Sequence, residues 1–242
     1  MIKLLKETRK KLLIKNKFSK YLLYATGEIF LVVVGILIAL HINNLNETNK
    51  NAHLELQVLK GIKQDLLTNS ENLIDLIEMD SLLVEGNKHL LSIIRNTNSV
   101  YDPGLDTLFG SINRYSIFFP QRLAYESLKE IGFDVVKNEA LKSEIINLYD
   151  YTYTSYSVVA MELKRGLYES TNLIFLKHLD TGEDVNIKRP FDFNKLKKDR
   201  VFVNYLAHLT AEQKNLLYFT KEHLINTLDV IAEIEDEIEK LE

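Results

Sequence analysis

The six histidines and 34 acidic residues of this 242-residue chain are the side chains that could do proton or metal chemistry. Their spacing supports neither. His41, His53, His89, His178, His208 and His223 stand too far apart for any two to meet across one helical turn, as a helical metal site requires. Asp180, Glu183, Asp184 and Asn186 lack the order and closing glutamate of a calcium loop and read as a solvated loop. Without cysteine there is no thiolate chemistry, thiolate metal site or disulfide. No phosphate loop, nucleophile elbow, dinucleotide glycine motif or zincin helix occurs. Tyr149, Tyr151, Tyr153 and Tyr156 crowd one segment, and the three on a shared face (149, 153, 156) read as core packing. No catalysis, cofactor or metal is expected.

One carboxylate is out of place. Residues 29–40 are apolar or glycine throughout, which gives about 18 Å of helix against a hydrocarbon core of roughly 30 Å. A full crossing must recruit the residues before Ile29 and so draws Glu28 below the headgroups, at roughly 2 to 3 kcal/mol. Glu28 either snorkels to the interface or makes a polar contact with another span. Gly27 adjoins it, and Gly35-x-x-x-Ala39 is a small-xxx-small pattern that lets helices approach closely. Gly27, Glu28, Gly35 and Ala39 together point to self-association within a membrane.

The flanks orient this span, residues 21–42. Lys3, Lys6, Arg9, Lys10, Lys11, Lys15, Lys17 and Lys20 precede it against the single acid Glu7, and no such excess follows it. The positive-inside bias predicts a cytoplasmic basic arm, 1–20, lying on anionic lipid, and a domain beyond the span, 43–242, exported. The arm is long and Ala39-Leu40-His41 is a poor cleavage site, so the span is expected to stay as a signal anchor. The exported part carries about −10 of the formal charge, which argues against nucleic acid as its partner.

Beyond the span the pattern is all-α: one N-terminal transmembrane helix, then an elongated antiparallel bundle of three long helices. The first covers about 47–96, with Leu59, Leu66 and Leu73 spaced by seven and Ile62, Leu76, Leu83 and Leu90 beside them. Asn69, Asp80 and Asn87 interrupt this seam as register-setting positions. Nothing between Ala39 and Gly61 must break a helix, so the span can continue outward. Residues 97–137 read as a distal cap with short helices at 105–112 and 122–131 around an extended run, 114–122. Gly132 should close the second in a left-handed cap. Asn138 should cap the second long helix, carried by Leu141, Ile145, Leu148, Tyr156, Val159, Leu163 and Ile174 to about His178. A loop at 179–198 leads to the third, 199–241, with Leu217, Leu224, Ile231 and Ile238 spaced by seven. An up-down-up order would leave the carboxyl terminus at the far end, its acidic last turns free in solvent.

The run Asn16-Lys17-x-x-Lys20-Tyr21, Tyr24-Ala25-x-Gly27-Glu28-Ile29, Val32-Val33 and Gly35-Ile36-Leu37-Ile38-Ala39-Leu40-x-Ile42-Asn43-Asn44 resembles the opening of uncharacterised single-span proteins of Bacteroidota. Ser127-Leu128-Lys129-x-x-Gly132 and Lys137-Asn138-x-x-Leu141 resemble that family again. Leu45 stands where its members carry tryptophan. The resemblance implies an inner-membrane protein with a periplasmic helical domain, and no activity. Two readings follow. The chain is an accessory or structural protein that self-associates or joins a membrane assembly, or a ligand-sensing bundle that signals through a partner. A third use would place Glu28 in an ion or proton path.

Overall fold

The computed structural model describes residues 18–242 apart from 113, 115 and 181, and divides the chain into two units, 1–54 and 55–242. Helix α1, Phe18–Arg95, contributes to both. No proline interrupts these 78 residues, and the asparagine-rich stretch 43–51 stays helical. Thr26 and Thr48 return their hydroxyls to the carbonyls of Leu22 and Asn44 rather than competing with the helix. Beyond Arg95 the chain turns at Asn96, where the Lys197 ammonium donates to the carbonyls of Thr97 and Ser99 at 3.1 and 2.5 Å. A cation there satisfies orphan carbonyls and complements the helix dipole.

Among the described residues of unit 1 α1 stands alone, and none of its described side chains there is buried. Among the described residues it is the one helix long and apolar enough to cross a membrane, with an 18-residue window of mean hydropathy 2.2 in which no residue is buried.

Unit 2 is all-α apart from one short β pairing. After α1 come α2 (Asp106–Ser111), α3 (Leu123–Ile131) and α4 (Glu139–Ile146). A π turn, Asn147–Thr152, joins α4 to α5 (Tyr153–His178). Strands β1 (Leu179–Asp180) and β2 (Arg189–Pro190) pair antiparallel, and α6 (Phe193–Lys198) and α7 (Arg200–Leu241) complete the chain. Capping residues place the starts. Asp102 accepts from the Gly104 N–H, Asn138 from that of Leu141, and Asp199 from those of Val201 and Phe202.

The expected up-down-up order does not hold, because residues 96–138 form a fourth leg. They run back along α1: Asn87 bonds the Ile112 carbonyl, Asn69 exchanges two bonds with the Gln121 backbone, Asp65 accepts from the Ala124 N–H, and Glu55 accepts from the Lys137 N–H. The segment is therefore no distal cap. Helix α5 then runs in the direction of α1, and α7 opposes both, pairing Glu235 with Lys63, Glu242 with Lys60 and Thr227 with Tyr153. The carboxyl terminus accordingly lies at the Glu55 end of the unit, and two of its acids meet α1 lysines. The sequence pattern missed this leg because its buried apolar residues, among them Phe109, Phe118, Tyr125 and Val136, fall on short helices and irregular segments without one helical period, and polar side chains of α1 bond its backbone.

Three local expectations change too. Residues 179–198 are more than a solvated loop, since Phe193 and Leu196 of α6 and Leu179 are buried. Run 114–122 forms no strand or ladder among its described residues. Gly132 takes φ +109°, ψ 136°, a glycine conformation other than the left-handed cap, with its N–H on the Leu128 carbonyl.

The apolar interior falls into two clusters. The first, nearer Glu55, gathers Leu59, Leu66, Leu73, Tyr125, Tyr149 and Ile234. The second gathers Leu90, Phe109, Phe175, Leu196, Phe202 and Leu209. Each fully buried leucine or phenylalanine contributes about 1.5 to 3 kcal/mol. Tyr149, Tyr153 and Tyr156 are buried as core and Tyr151 is exposed, as their spacing predicts.

Candidate functional site

Between the two clusters the interior turns polar. There Asp80 and Asn87 of α1 and Gln213 of α7 are buried, and Thr220 and Thr227 continue the polar face of α7 into the first cluster, between Leu216 and Val230. These α7 residues repeat every seven positions. The sequence reading placed the seam on Leu217 and Leu224, which are only half-buried, whereas Leu216 is buried. The 213-220-227 series was the available signal for a polar belt.

Most groups in the belt are matched. The Asn87 amide donates to the Ile112 carbonyl and to Gln213 Oε1, at 3.2 and 2.7 Å. The Gln213 amide donates to the carbonyls of Ile112 and Arg114, both at 3.2 Å. These carbonyls only accept, which fixes the orientation of both amides. Thr220 and Thr227 donate to the carbonyls of Leu216 and His223, so Tyr156 and Tyr153 must donate to the threonines. Burial, opposed by that bond and helped by the charge of Asp80, raises the Tyr156 phenol to about 12.

What stays unmatched accepts. Asp80, 6% exposed, leaves Oδ2 without a partner, and Asn87 leaves Oδ1 without one. Asp80 lines a crevice of about 10 Å³, room for about one water, with Leu83, Arg114, Gln213 and Leu216. Burial raises its carboxyl to about 6. A groove of about 120 Å³ opens between α5 and α7, lined by Ser155, Tyr156, Val159, Leu216, Phe219 and His223. Val159, expected in the seam, is 53% exposed here. His223 Nδ1 is buried without a partner, and desolvation lowers the imidazole pKa. No group of three or more acids and histidines among the described residues is arranged to hold a metal.

The membrane-contact residues of the sequence reading lie in unit 1. Glu28, Gly35 and Ala39 are exposed and fall within about 40° of one another around α1, at roughly 100° per residue. Gly27 is some 80° or more away on the adjoining face, so the four do not form one stripe. A Cβ at Gly27 or at Gly35 would meet nothing within 4 Å. Of the basic arm, Lys3, Lys6, Arg9, Lys10, Lys11, Lys15 and Lys17 lie outside the described residues. Lys20 belongs to the first turn of α1.

Fold and site together define an all-α protein with a naked apolar helix at one end of its sequence and a four-legged helical unit at the other. The chain belongs to a family of unknown function, DUF6090, whose model matches residues 28–172. No curated protein and no solved structure matches it. The matched stretch begins at Glu28 and includes Asp80 and Asn87.

Proposed function

We propose that the protein is a non-enzymatic, membrane-anchored interaction protein of a bacterial inner membrane. In this reading residues 21–42 span the bilayer once, the basic arm rests on the cytoplasmic leaflet, and unit 2 works in the periplasm. Assembly with a second copy or a membrane-protein partner uses Glu28, Gly35 and Ala39. The observation that carries it is the absence of any buried residue along the apolar part of α1, where Ile29 and Leu31 are 66% and 71% exposed. So long an apolar surface needs a covering phase, and lipid or another span supplies one. Small residues on the Glu28 side allow close helix approach.

Cross-linking in native membranes, with native mass spectrometry in gentle detergent, tests the reading. Oligomers or a co-purifying membrane partner are expected, weakened by Glu28→Gln and by Gly35→Leu. A strictly monomeric, partner-free protein would overturn it. Protease added to intact spheroplasts should degrade unit 2, and survival of unit 2 would reverse the topology.

Ligand sensing is favoured by one specific observation, the groove between α5 and α7. A sensor of this design would signal through a partner.

A further inference from the structure

We propose that the groove between α5 and α7 is a binding site for a small neutral aromatic alcohol, a single phenol-like ring carrying one hydroxyl. The inference concerns unit 2 alone. It rests on the ligand-sensing reading, to which it gives a ligand class, and stands whether or not the spans assemble.

The first argument is shape. Buried Tyr156 and Leu216 floor the groove, and half-exposed Val159 and Phe219 rim it with apolar surface. An apolar concavity open to water is the usual setting for a small ligand. Its volume of about 120 Å³ approaches the roughly 150 Å³ in which an apolar cavity takes up one benzene ring. A single ring fits and a drug-sized ligand does not. Tyr156 and Phe219 favour an aromatic one, because rings meet well edge-on or offset. Tyr156 already meets the His223 ring edge-on, with centroids 5.2 Å apart.

The second argument is the hydrogen-bond balance of the lining. Ser155 donates to the Thr152 carbonyl at 3.0 Å and Tyr156 donates to Thr220, so both hydroxyl protons are spent inside the unit. His223 is different. Its Nδ1 is buried without a partner, whereas Nε2 is not closed off from water and makes no hydrogen bond among the described residues. Nε2 is therefore the ring nitrogen open to a ligand. The third argument is charge. No charged side chain lines the groove, and desolvation lowers the imidazole pKa, so the ring is neutral at neutral pH. A neutral imidazole has one nitrogen that donates and one that accepts. A hydroxyl does both, and so pairs with Nε2 in either tautomer. An ammonium or a carboxylate would instead lose water without meeting a counter-charge.

The test uses the full-length protein in nonionic detergent at neutral pH. The probe is 4-fluorophenol, with fluorobenzene as its counterpart lacking the hydroxyl, both followed by fluorine NMR line width against protein-free detergent. The protein should broaden 4-fluorophenol saturably, and unlabelled phenol should displace it. Its affinity for 4-fluorophenol should exceed that for fluorobenzene by about fivefold or more, the effect of one neutral hydrogen bond. Val159→Trp, at a half-exposed position, fills the groove while leaving the core side chains in place, and should abolish saturable binding of both probes. His223→Phe keeps a ring beside Tyr156 and removes both nitrogens, so fluorobenzene should bind as before and the preference should vanish. Circular dichroism checks that both variants keep the helix content of the unmodified protein. No saturable broadening, equal affinity for the two probes, undiminished binding in Val159→Trp, or a preference that survives His223→Phe would overturn the proposal. Phenol added during cross-linking in native membranes reads signalling separately: saturable binding with an unchanged cross-link pattern would support the site and refute the sensor.

Discussion

Replacing Asp80 by asparagine should stabilise the protein at neutral pH and lose that advantage in acid. Asparagine has nearly the same shape and carries no charge, so the substitution isolates the ionisation. The carboxyl rises from 3.8 to about 6 on folding. At 1.36 kcal/mol per unit, burial of the charged form costs up to about 3 kcal/mol above pH 7. The sign follows from proton binding. A raised carboxyl holds its proton in the folded state where the unfolded chain has lost it, so folding stability falls as pH climbs from about 4 to about 6 and is flat beyond. Asp199, held down at about 2 chiefly by its Lys177 bond, and Glu237 and Glu242, also lowered, act with the opposite slope. Subtracting wild type from variant at each pH cancels all three. Urea unfolding of the two proteins in detergent should show asparagine ahead by about 2 to 3 kcal/mol near pH 7.5, and by about 1 near pH 4.5. A difference that does not change with pH, or an asparagine variant weaker at neutral pH, would mean that the carboxylate has a partner, and the reasoning about an unpaired buried charge would fail.

Other consequences can be read by the same unfolding measurement. Asn69→Ala strips both bonds from the Gln121 backbone, leaves an N–H and a carbonyl half-buried, and should cost about 2 to 3 kcal/mol. Asp199→Ala uncaps α7 and frees Lys177, for about 1 to 2 kcal/mol at neutral pH; because Asp199 is depressed to about 2, the penalty should fade as pH drops from about 4 toward 2. Gly110→Ala drives a Cβ into the Asn186 carbonyl, and should cost about 1 to 3 kcal/mol and raise hydrogen exchange at 184–188. Tyr151→Phe, at a residue 71% exposed, should change stability by less than about 0.5 kcal/mol.

Periodicity reveals what apolar contacts hold and conceals what polar contacts hold. Leu59, Ile62, Leu66 and Leu73 are buried where their spacing puts them, and the Asn138 cap and the tyrosine face follow from residue type. The fourth leg does not, because its buried apolar residues are spread over short helices without one period, and Glu55, Asp65, Asn69 and Asn87 hold it through backbone amides and carbonyls that carry no side-chain signature. Asn69 and Asn87 were legible as interruptions of the seam, though their partners were not: they clasp a returning chain rather than set helix register. Asp80 stood out for the same reason. Arg114 and His223 carry no pattern, and only the folded chain brings them beside the belt. Glu28 is legible in the sequence as a lone acid beside an apolar run, and it stands exposed on that helix.

The two clusters and the belt between them have a mechanical consequence. Apolar contacts fix the unit at both ends, with Tyr149, Tyr125 and Leu66 below and Phe202, Phe109 and Leu90 above. Along the stretch of α5 between Ala160 and Phe175 none of the described side chains is buried, and Leu163 is the partly buried residue that touches both clusters. Local opening takes place where buried apolar contact is thinnest, so this middle stretch opens at less cost than either end. The groove and the unpartnered His223 nitrogen lie just before this stretch, at Ser155, Tyr156 and Val159, and the unpaired Asp80 lies against Gln213 and Leu216 of α7. Alanine at Leu163 should therefore raise hydrogen exchange through the middle of α5 while the exchange of α1 near Leu66 and of α7 near Phe202 stays as it is. Equal loosening of all three would show one cooperative core.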